Sequence, residues 1–294
     1  TNMYESLIYG EDENLPIFKR LKNVLDIVFY EKEDSYLKDT IFDDNIGYYE
    51  NLKKLHAQKE ELKKLKSLCA LQKPFVIEFG GTPRTGKTTT INNLYDFFKK
   101  GGFKITIIEE FTTSKYYKEV FKEKYKDVSS LNLHLAIIEE VTNQLEEAIN
   151  SGYDIILIDR SINDRQIWNY RTFVKGNMPK EKYQKIKEKY SVISRKLIDF
   201  LVVTYATPLV SLKRDYNSSL ALEKRNFLNF DNLVEYNDAL KNLEELFKSS
   251  VEEYELLDTT SMNMSDVSVE IASKIMPVMR KKYIEEFKKK YNLM

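Results

Sequence analysis

The chain has one cysteine, Cys69, and two histidines, His56 and His134, among its 294 residues. A lone cysteine excludes an internal disulfide framework and any thiolate metal cluster, and its place in a helical pattern reads as a buried thiol rather than a nucleophile. Both histidines also fall in helical patterns, where a structural or surface role outweighs proton transfer. No sign of charge dominates, since 46 Lys and Arg balance 46 Asp and Glu. A global positive field that would gather nucleic acid by counterion release is therefore missing, and nucleic acid is not an expected partner. No apolar run reaches the roughly 18 residues of a spanning helix. The first residues, TNMYESLIYGEDEN, carry no basic-then-apolar leader. A cytoplasmic chain with no membrane partner is the expectation, and neither an internal repeat nor a low-complexity linker is visible.

Glycine is scarce as well, yet three of the nine glycines, Gly80, Gly81 and Gly86, fall within seven residues of FVIEFGGTPRTGKTTT. Gly81, Gly86, Lys87 and Thr88 occupy the fixed positions of GxxxxGK[ST]. A loop with few side chains can wrap its backbone N–H groups around phosphate oxygens while the next helix points its positive dipole end at them. Lys87 then neutralises charge on the outer phosphates and the Thr88 hydroxyl can ligate Mg²⁺. The β-branched run Val76, Ile77 before the loop and the helical stripe Ile91, Leu94, Tyr95, Phe98 after it supply the strand–loop–helix context that the motif requires. The expected nucleotide contacts are the loop residues Gly81, Thr82, Pro83, Arg84, Thr85, Gly86, Lys87, Thr88 and Thr89.

Residues 1–72 read as a helical extension, with apolar stripes at Ile17, Phe18, Leu21, Val24, Leu25, Val28, Phe29 and at Leu52, Leu55, Leu62, Leu65, Cys69. Its role is open between covering a site, making a homodimer and binding a protein partner. From 73 to 294 strands and helices alternate, the mark of a parallel sheet covered on both faces. Strands are expected at 75–79, 104–109, 154–158, 199–204 and 254–257, and helices at 87–100, 130–150, 180–197, 231–250 and about 266–290. The fold class is thus α/β, a three-layer sandwich with a parallel sheet of about five strands plus the N-terminal helical extension. Gly101 and Gly102 are placed to end the helix of 87–100.

A second constellation follows the apolar run Ile155–Ile158, where Asp159, Arg160 and Ser161 stand at a strand's carboxyl end. Open parallel sheets bind ligands at that edge, so Asp159 can hold Mg²⁺ and Arg160 can brace a phosphate. The glutamate that ATPases of mechanical work place after such an aspartate is absent, as are NKxD and LSGGQ-like sequences, which favours transfer to an acceptor over hydrolysis. Glu109 and Glu110 follow the second strand and bring a carboxylate that could take the proton of an acceptor hydroxyl, with Glu110 favoured. A flap around 213–230 carries Lys213, Arg214, Lys224 and Arg225. Arg214 and Arg225 are the candidates to contact phosphate, because guanidinium matches it in a forked geometry. Trp168, Tyr170 and Phe173 lie just past the DRS segment, where they can serve as core, as a wall, or as a stacking surface.

Together GGTPRTGKTT, EEF, DRSINDRQIW and LVSLKRD resemble the P-loop nucleoside and nucleotide kinases, most nearly deoxynucleoside and thymidylate kinases, over about residues 75–275. That resemblance implies Mg-ATP as donor, Asp159 and Thr88 near the metal, Arg160 at the transferred phosphoryl, a glutamate at the position of Glu110 as base, and a nucleoside or nucleotide as acceptor. Two departures stand out. The family usually has glycine where Arg84 stands, and its deoxynucleoside kinases have glutamate where Asp159 stands, so the base is left open among Glu109, Glu110 and Asp159. Other readings of the same residues are an ATP-binding switch or interaction protein, and a toxin-like kinase of nucleic-acid ends or another macromolecule.

Overall fold

The structure, a computed structural model, describes residues 47–215 and 228–292. The stripe from Ile17 to Phe29 and the flap residues Lys224 and Arg225 lie outside the described residues. Those described divide into two compact units, 73–275 and a smaller one made of 47–72 with 276–292.

In the larger unit five strands, β1 (Phe75–Gly81), β2 (Ile105–Ile108), β3 (Ile155–Asp159), β4 (Phe200–Tyr205) and β5 (Glu253–Asp258), form one sheet of order β2-β3-β1-β4-β5. Every pairing is parallel. All residues of β1 and β3 are buried. Successive side chains of a strand point to opposite faces, so both faces of this sheet are covered, as a parallel sheet requires. The helices packed with these strands are α2 (Lys87–Lys100), α3 (Ser130–Ile149), α4 (Ile162–Val174), α5 (Lys180–Leu197), α7 (Phe230–Asn242) and α8 (Glu244–Ser250), while the short α6 (Pro208–Lys213) follows β4 and packs on α7. The chain leaves β1 toward the β2 edge and leaves β4 toward the β5 edge. The connections thus diverge beside β1, where open α/β sheets form their ligand crevice.

The expected 231–250 helix is two helices, broken at Leu243, whose φ of −101° and ψ of 2° leave the helical region. Leu240, Leu243, Leu246 and Phe247 are all buried across that break, so the apolar stripe continues while the backbone does not. After α2, Gly102 takes φ +83° and the Gly101 and Gly102 N–H groups return to Phe98 and Lys99 carbonyls, which ends the helix as its glycine pair foretells.

The smaller unit holds α1 (Gly47–Leu68) and the C-terminal part of α9 (Met264–Lys290). Leu55, Leu62, Leu65 and Cys69 of the first segment are buried, as are Met276, Met279, Tyr283 and Phe287 of the second. Arg280 Nε reaches Glu61 Oε1 at 3.1 Å and Lys290 Nζ donates to the Leu68 carbonyl at 2.9 Å. No described helix is long and apolar enough to cross a membrane.

One residue of β1 breaks its apolar run. Glu78 is wholly buried, and its carboxylate accepts from the backbone N–H groups of Ser161 (3.1 Å), Asn163 (3.2 Å) and Asp164 (3.0 Å) and from Asn163 Nδ2 (2.8 Å). Ser161 stands at the N-cap of α4 but its side chain caps nothing. The cap is supplied from the neighbouring strand instead, meeting the orphan donors and positive end of the helix with a carboxylate. Burial pushes Glu78 up to about 7, with these hydrogen bonds pulling the other way. The folded chain therefore holds a proton that the unfolded chain releases near its ordinary value of 4.5, and this group's contribution to stability falls as pH rises from about 4.5 to about 7. Glu78→Gln, which turns an N–H₂ toward N–H donors, should lower unfolding stability by about 1–3 kcal/mol and flatten that pH dependence. Urea midpoints measured at about pH 5 and pH 7.5 check it, and an unchanged pH slope in the variant would remove Glu78 as its source.

Candidate active site

The β1–α2 loop is fixed from behind by residues that its motif does not contain. At φ +111° Gly81 is where a Cβ would lie 2.0 Å from the Thr204 carbonyl oxygen, so only glycine fits between β1 and β4. Thr82 and Thr85 are fully buried. Thr82 Oγ1 donates to Asn237 Oδ1 at 2.7 Å, Asn237 Nδ2 donates to the Ala206 carbonyl at 2.8 Å, and Thr85 Oγ1 lies 2.6 Å from Thr204 Oγ1. Gly86, at φ +94°, leads into α2. The sequence-predicted loop residues accordingly split into two sets. Gly81, Thr82 and Thr85 anchor the loop, whereas Pro83, Arg84, Gly86, Lys87, Thr88 and Thr89 line a cavity of about 1340 Å³.

Lys87 Nζ donates to the loop's own carbonyls, Thr82 O at 2.6 Å and Gly81 O at 3.3 Å. Burial pushes its pKa down to about 7, Arg160 adds to that, and Asp159, Asp164 and Glu110 oppose it. Thr88 Oγ1 donates to Asp159 Oδ2 at 3.2 Å, while Asp159 Oδ1 is buried without a hydrogen-bond partner. Burial raises the Asp159 pKa against the pull of Lys87 and Arg160. A hydroxyl beside a carboxylate oxygen with free lone pairs is the hard oxygen pair that a divalent cation takes when phosphates complete its shell. No cluster of three His, Cys, Asp or Glu side chains suited to a metal occurs among the described residues, and Mg²⁺ held with a polyphosphate does not need one.

Arg160 stands at the end of β3 in the left-handed region, φ +57°, where a residue with a Cβ is disfavoured. Its N–H donates to the Phe79 carbonyl at 2.8 Å, and its side chain reaches Glu110 Oε2 from Nε at 3.3 Å and Asp164 Oδ1 from Nη1 at 3.1 Å. Burial works against the Arg160 charge, yet the surrounding groups, Asp164 foremost, hold its pKa above the usual arginine range. Asp164 is itself wholly buried and accepts from Gly81 N at 3.0 Å and Tyr236 Oη at 2.7 Å. Burial works against this charge too, but Arg160 and Arg165 hold the carboxyl below the usual range. Sequence reading singled out Arg160 and missed Asp164, Tyr236 and Asn237. Only the DRSINDR spacing hinted at Asp164, which sits one helical turn after Arg160.

The other sequence candidates are placed as follows. Glu110 follows β2, lines the cavity, and accepts from Thr112 Oγ1 at 2.9 Å in addition to its Arg160 pair. Glu109 does not line the cavity. Arg214 lines it, but its guanidinium donates to Thr259 O at 2.6 Å, Thr259 Oγ1 at 3.1 Å and Met262 O at 3.0 Å, so it clasps the β5–α9 turn. Arg84, at φ +62°, pairs with the buried Asp215 at 2.7 Å. Trp168 forms a cavity wall beside Tyr236, its ring 6.2 Å from His134 at 15° and 4.9 Å from the Arg171 guanidinium. Tyr170 and Phe173 turn away to pack on Tyr183. His134 lines the cavity as well, and burial lowers its pKa with Arg165 adding to the effect.

No protein-family model matches the chain, and no curated protein matches it in sequence. Among solved structures it is similar to deoxyadenosine kinase from M. mycoides with bound dATP, at 17% sequence identity and a TM-score of 0.44, the match covering 67% of this chain and 96% of that one.

Asp164→Asn would leave Arg160 with half its compensation inside the protein, and breaking a buried pair in this way costs about 3–5 kcal/mol. Tyr236→Phe removes one hydrogen bond from the same carboxylate and should cost only about 1–2 kcal/mol. Denaturant unfolding of both variants checks the order, and equal losses would mean that the carboxylate charge is not what matters.

Proposed function

We propose that the protein is an ATP-dependent phosphotransferase that moves the γ-phosphoryl group of Mg-ATP onto a small acceptor, a nucleoside or a nucleotide. One observation carries this reading: the glycine loop with Lys87 and Thr88, the β3 end with Asp159 and Arg160, and a chamber walled by Trp168 and Tyr236 all open onto a single cavity. Donor-binding, charge-bearing and planar-ligand surfaces therefore share one enclosure, as phosphoryl transfer in line between two bound molecules requires.

In this reading residues 83–89 receive the triphosphate and Lys87 exchanges its two loop carbonyls for phosphate oxygens. Thr88 and Asp159 hold Mg²⁺, which when bound offsets charge on the phosphates. Arg160, kept rigid by Asp164 and Glu110, presents a fixed positive charge to the equatorial oxygens of the group in transit. Such preorganised donors need no reorientation as the reaction proceeds, which is why they dominate catalysis of this kind. For a hydroxyl acceptor, Glu110 is the carboxylate on the cavity wall beside Arg160 and takes the hydroxyl proton, with Asp159 as the alternative base. Residues 1–72 would serve a partner or a second copy of the chain.

Label from [γ-³²P]ATP should pass to one class of compound in a panel of nucleosides, nucleotides and sugars. Lys87→Ala should lower that transfer by about 10² to 10³, and Asp159→Asn should weaken its Mg²⁺ dependence. Full turnover by Lys87→Ala, or ATP binding with no acceptor in the panel labelled, would sink the proposal.

A further inference from the structure

Arg165 is 5% exposed, lines the cavity, and carries its guanidinium without a partner at Nε or Nη2 among the described residues. The Arg165 charge helps to hold the Asp164 carboxyl below its usual range. That carboxylate already accepts from Gly81 N, Tyr236 Oη and Arg160, and Arg165 makes no ion pair with it. A buried guanidinium that lacks hydrogen bonds is costly, and folded proteins keep one only where something completes it. Every other arginine lining the cavity has an ion-pair or hydrogen-bond partner in the protein, although Nε of Arg171 is also buried without one among the described residues. Arg84 pairs with Asp215, Arg160 with Glu110 and Asp164, Arg171 with Glu235, and Arg214 with carbonyls of the β5–α9 turn. Arg165 is also placed to serve a ligand. It stands one helical turn before Trp168 and two before Arg171 and Thr172 on α4, and these positions share a helix face toward the cavity. That face offers an anion site and an aromatic wall side by side.

We infer that the acceptor brings its own phosphate, so that it is a nucleoside monophosphate rather than a nucleoside, with Arg165 receiving that phosphate and Trp168 and Tyr236 flanking the rest of the molecule. The inference rests on the phosphotransferase reading and narrows it. An oxygen of the acceptor phosphate attacks the γ-phosphorus, the bond from that phosphorus to the β–γ bridging oxygen breaks, and ADP leaves with the electron pair. The product is a nucleoside diphosphate. A phosphomonoester is largely dianionic at neutral pH, its second pKa being about 6, so the attacking oxygen has no proton to lose. Glu110 can then remain the ion partner of Arg160 throughout.

Trp168 is the sole tryptophan of the chain, so its fluorescence reports on this chamber directly. With the full chain held in saturating Mg-ADP, each nucleoside monophosphate and its parent nucleoside are titrated, and the same compounds are offered [γ-³²P]ATP. The expected result is that at least one monophosphate binds at least about 10-fold more tightly than its nucleoside and alone accepts label, since charge-assisted contacts to phosphate set the difference. Arg165→Met should weaken that monophosphate at least about 10-fold, with Arg165→Lys recovering part of the loss, while Mg-ADP still binds both variants. Nucleosides that bind as well as monophosphates, or that accept label while monophosphates do not, overturn the inference and leave the phosphotransferase standing. Label passing to neither class overturns both. Where Arg165→Met does not fold, the wild-type comparison of each nucleotide with its nucleoside still decides.

Discussion

A carboxylate without access to solvent, that of Asp164, is where the walls of the cavity are joined. Its oxygens meet the first N–H of the glycine loop, the hydroxyl of Tyr236 on α7 and the guanidinium of Arg160 at the end of β3. A buried charge of this kind is tolerable only when opposite charge and hydrogen bonds surround it, so loop, strand end and helix must come together for any of them to be stable in place. The neighbouring residue is chosen by the same constraint. At Gly80 a Cβ would sit 3.2 Å from Asp164 Oδ1, tighter than a side chain normally packs against a carboxylate that cannot move. Arg160 gains its rigidity from this arrangement, and with it tolerates a left-handed backbone that would cost of order 1 kcal/mol elsewhere.

The same logic extends along α4. Its buried residues include Asn163, Asp164, Arg165, Gln166, Asn169 and Arg171, a composition that no apolar stripe could hold against a sheet. What holds it is charge and hydrogen bonding from the central strand: Glu78 binds the helix N-terminus and Asp164 returns a bond to the exit of β1. β1 therefore positions the glycine loop at one end of its own chain and, through Glu78, the helix that carries Arg165 and Trp168. Two sides of the cavity are indexed to one strand.

That arrangement explains what could be read from the sequence and what could not. β-branched runs alternating with amphipathic stretches are local patterns, and the strands from β1 to β5 and the helices α2, α3 and α5 fall where those patterns place them, within a residue or two. Motif residues Lys87, Thr88, Asp159, Arg160 and Glu110 converge on one cavity because each follows the carboxyl end of a parallel strand, a consequence of topology that spacing along the chain conveys. α4 escaped because its buried face is polar, which hides the helical period. Glu78 belongs to no motif within its strand, and Tyr236 and Asn237 lie 72 residues from Asp164 and 155 from Thr82, distances at which no local pattern operates. Arg214 shows what a local pattern omits. A basic residue after β4 suggested phosphate, and only the fold reveals that the turn after β5 supplies carbonyls for it.

Sorting the cavity's cations by what neutralises them separates shape from function. Arg84, Arg160, Arg171 and Lys175 face carboxylates and Arg214 faces carbonyls of a turn it clasps; in each case the protein itself holds the charge or fork in place. Lys87 has only neutral oxygens for partners, and the buried Nε and Nη2 of Arg165 have none among the described residues. A bound anion adds little to a cation already paired, since it must compete with a fixed carboxylate, but it adds much to one that is buried and unpaired, where the low dielectric magnifies the attraction. Two side chains, one on the glycine loop and one on α4, therefore have the most to gain from a negatively charged ligand, whereas Arg160 keeps a charge fixed in place by its carboxylates. A ligand set with a single anionic group would leave one of these two unmatched.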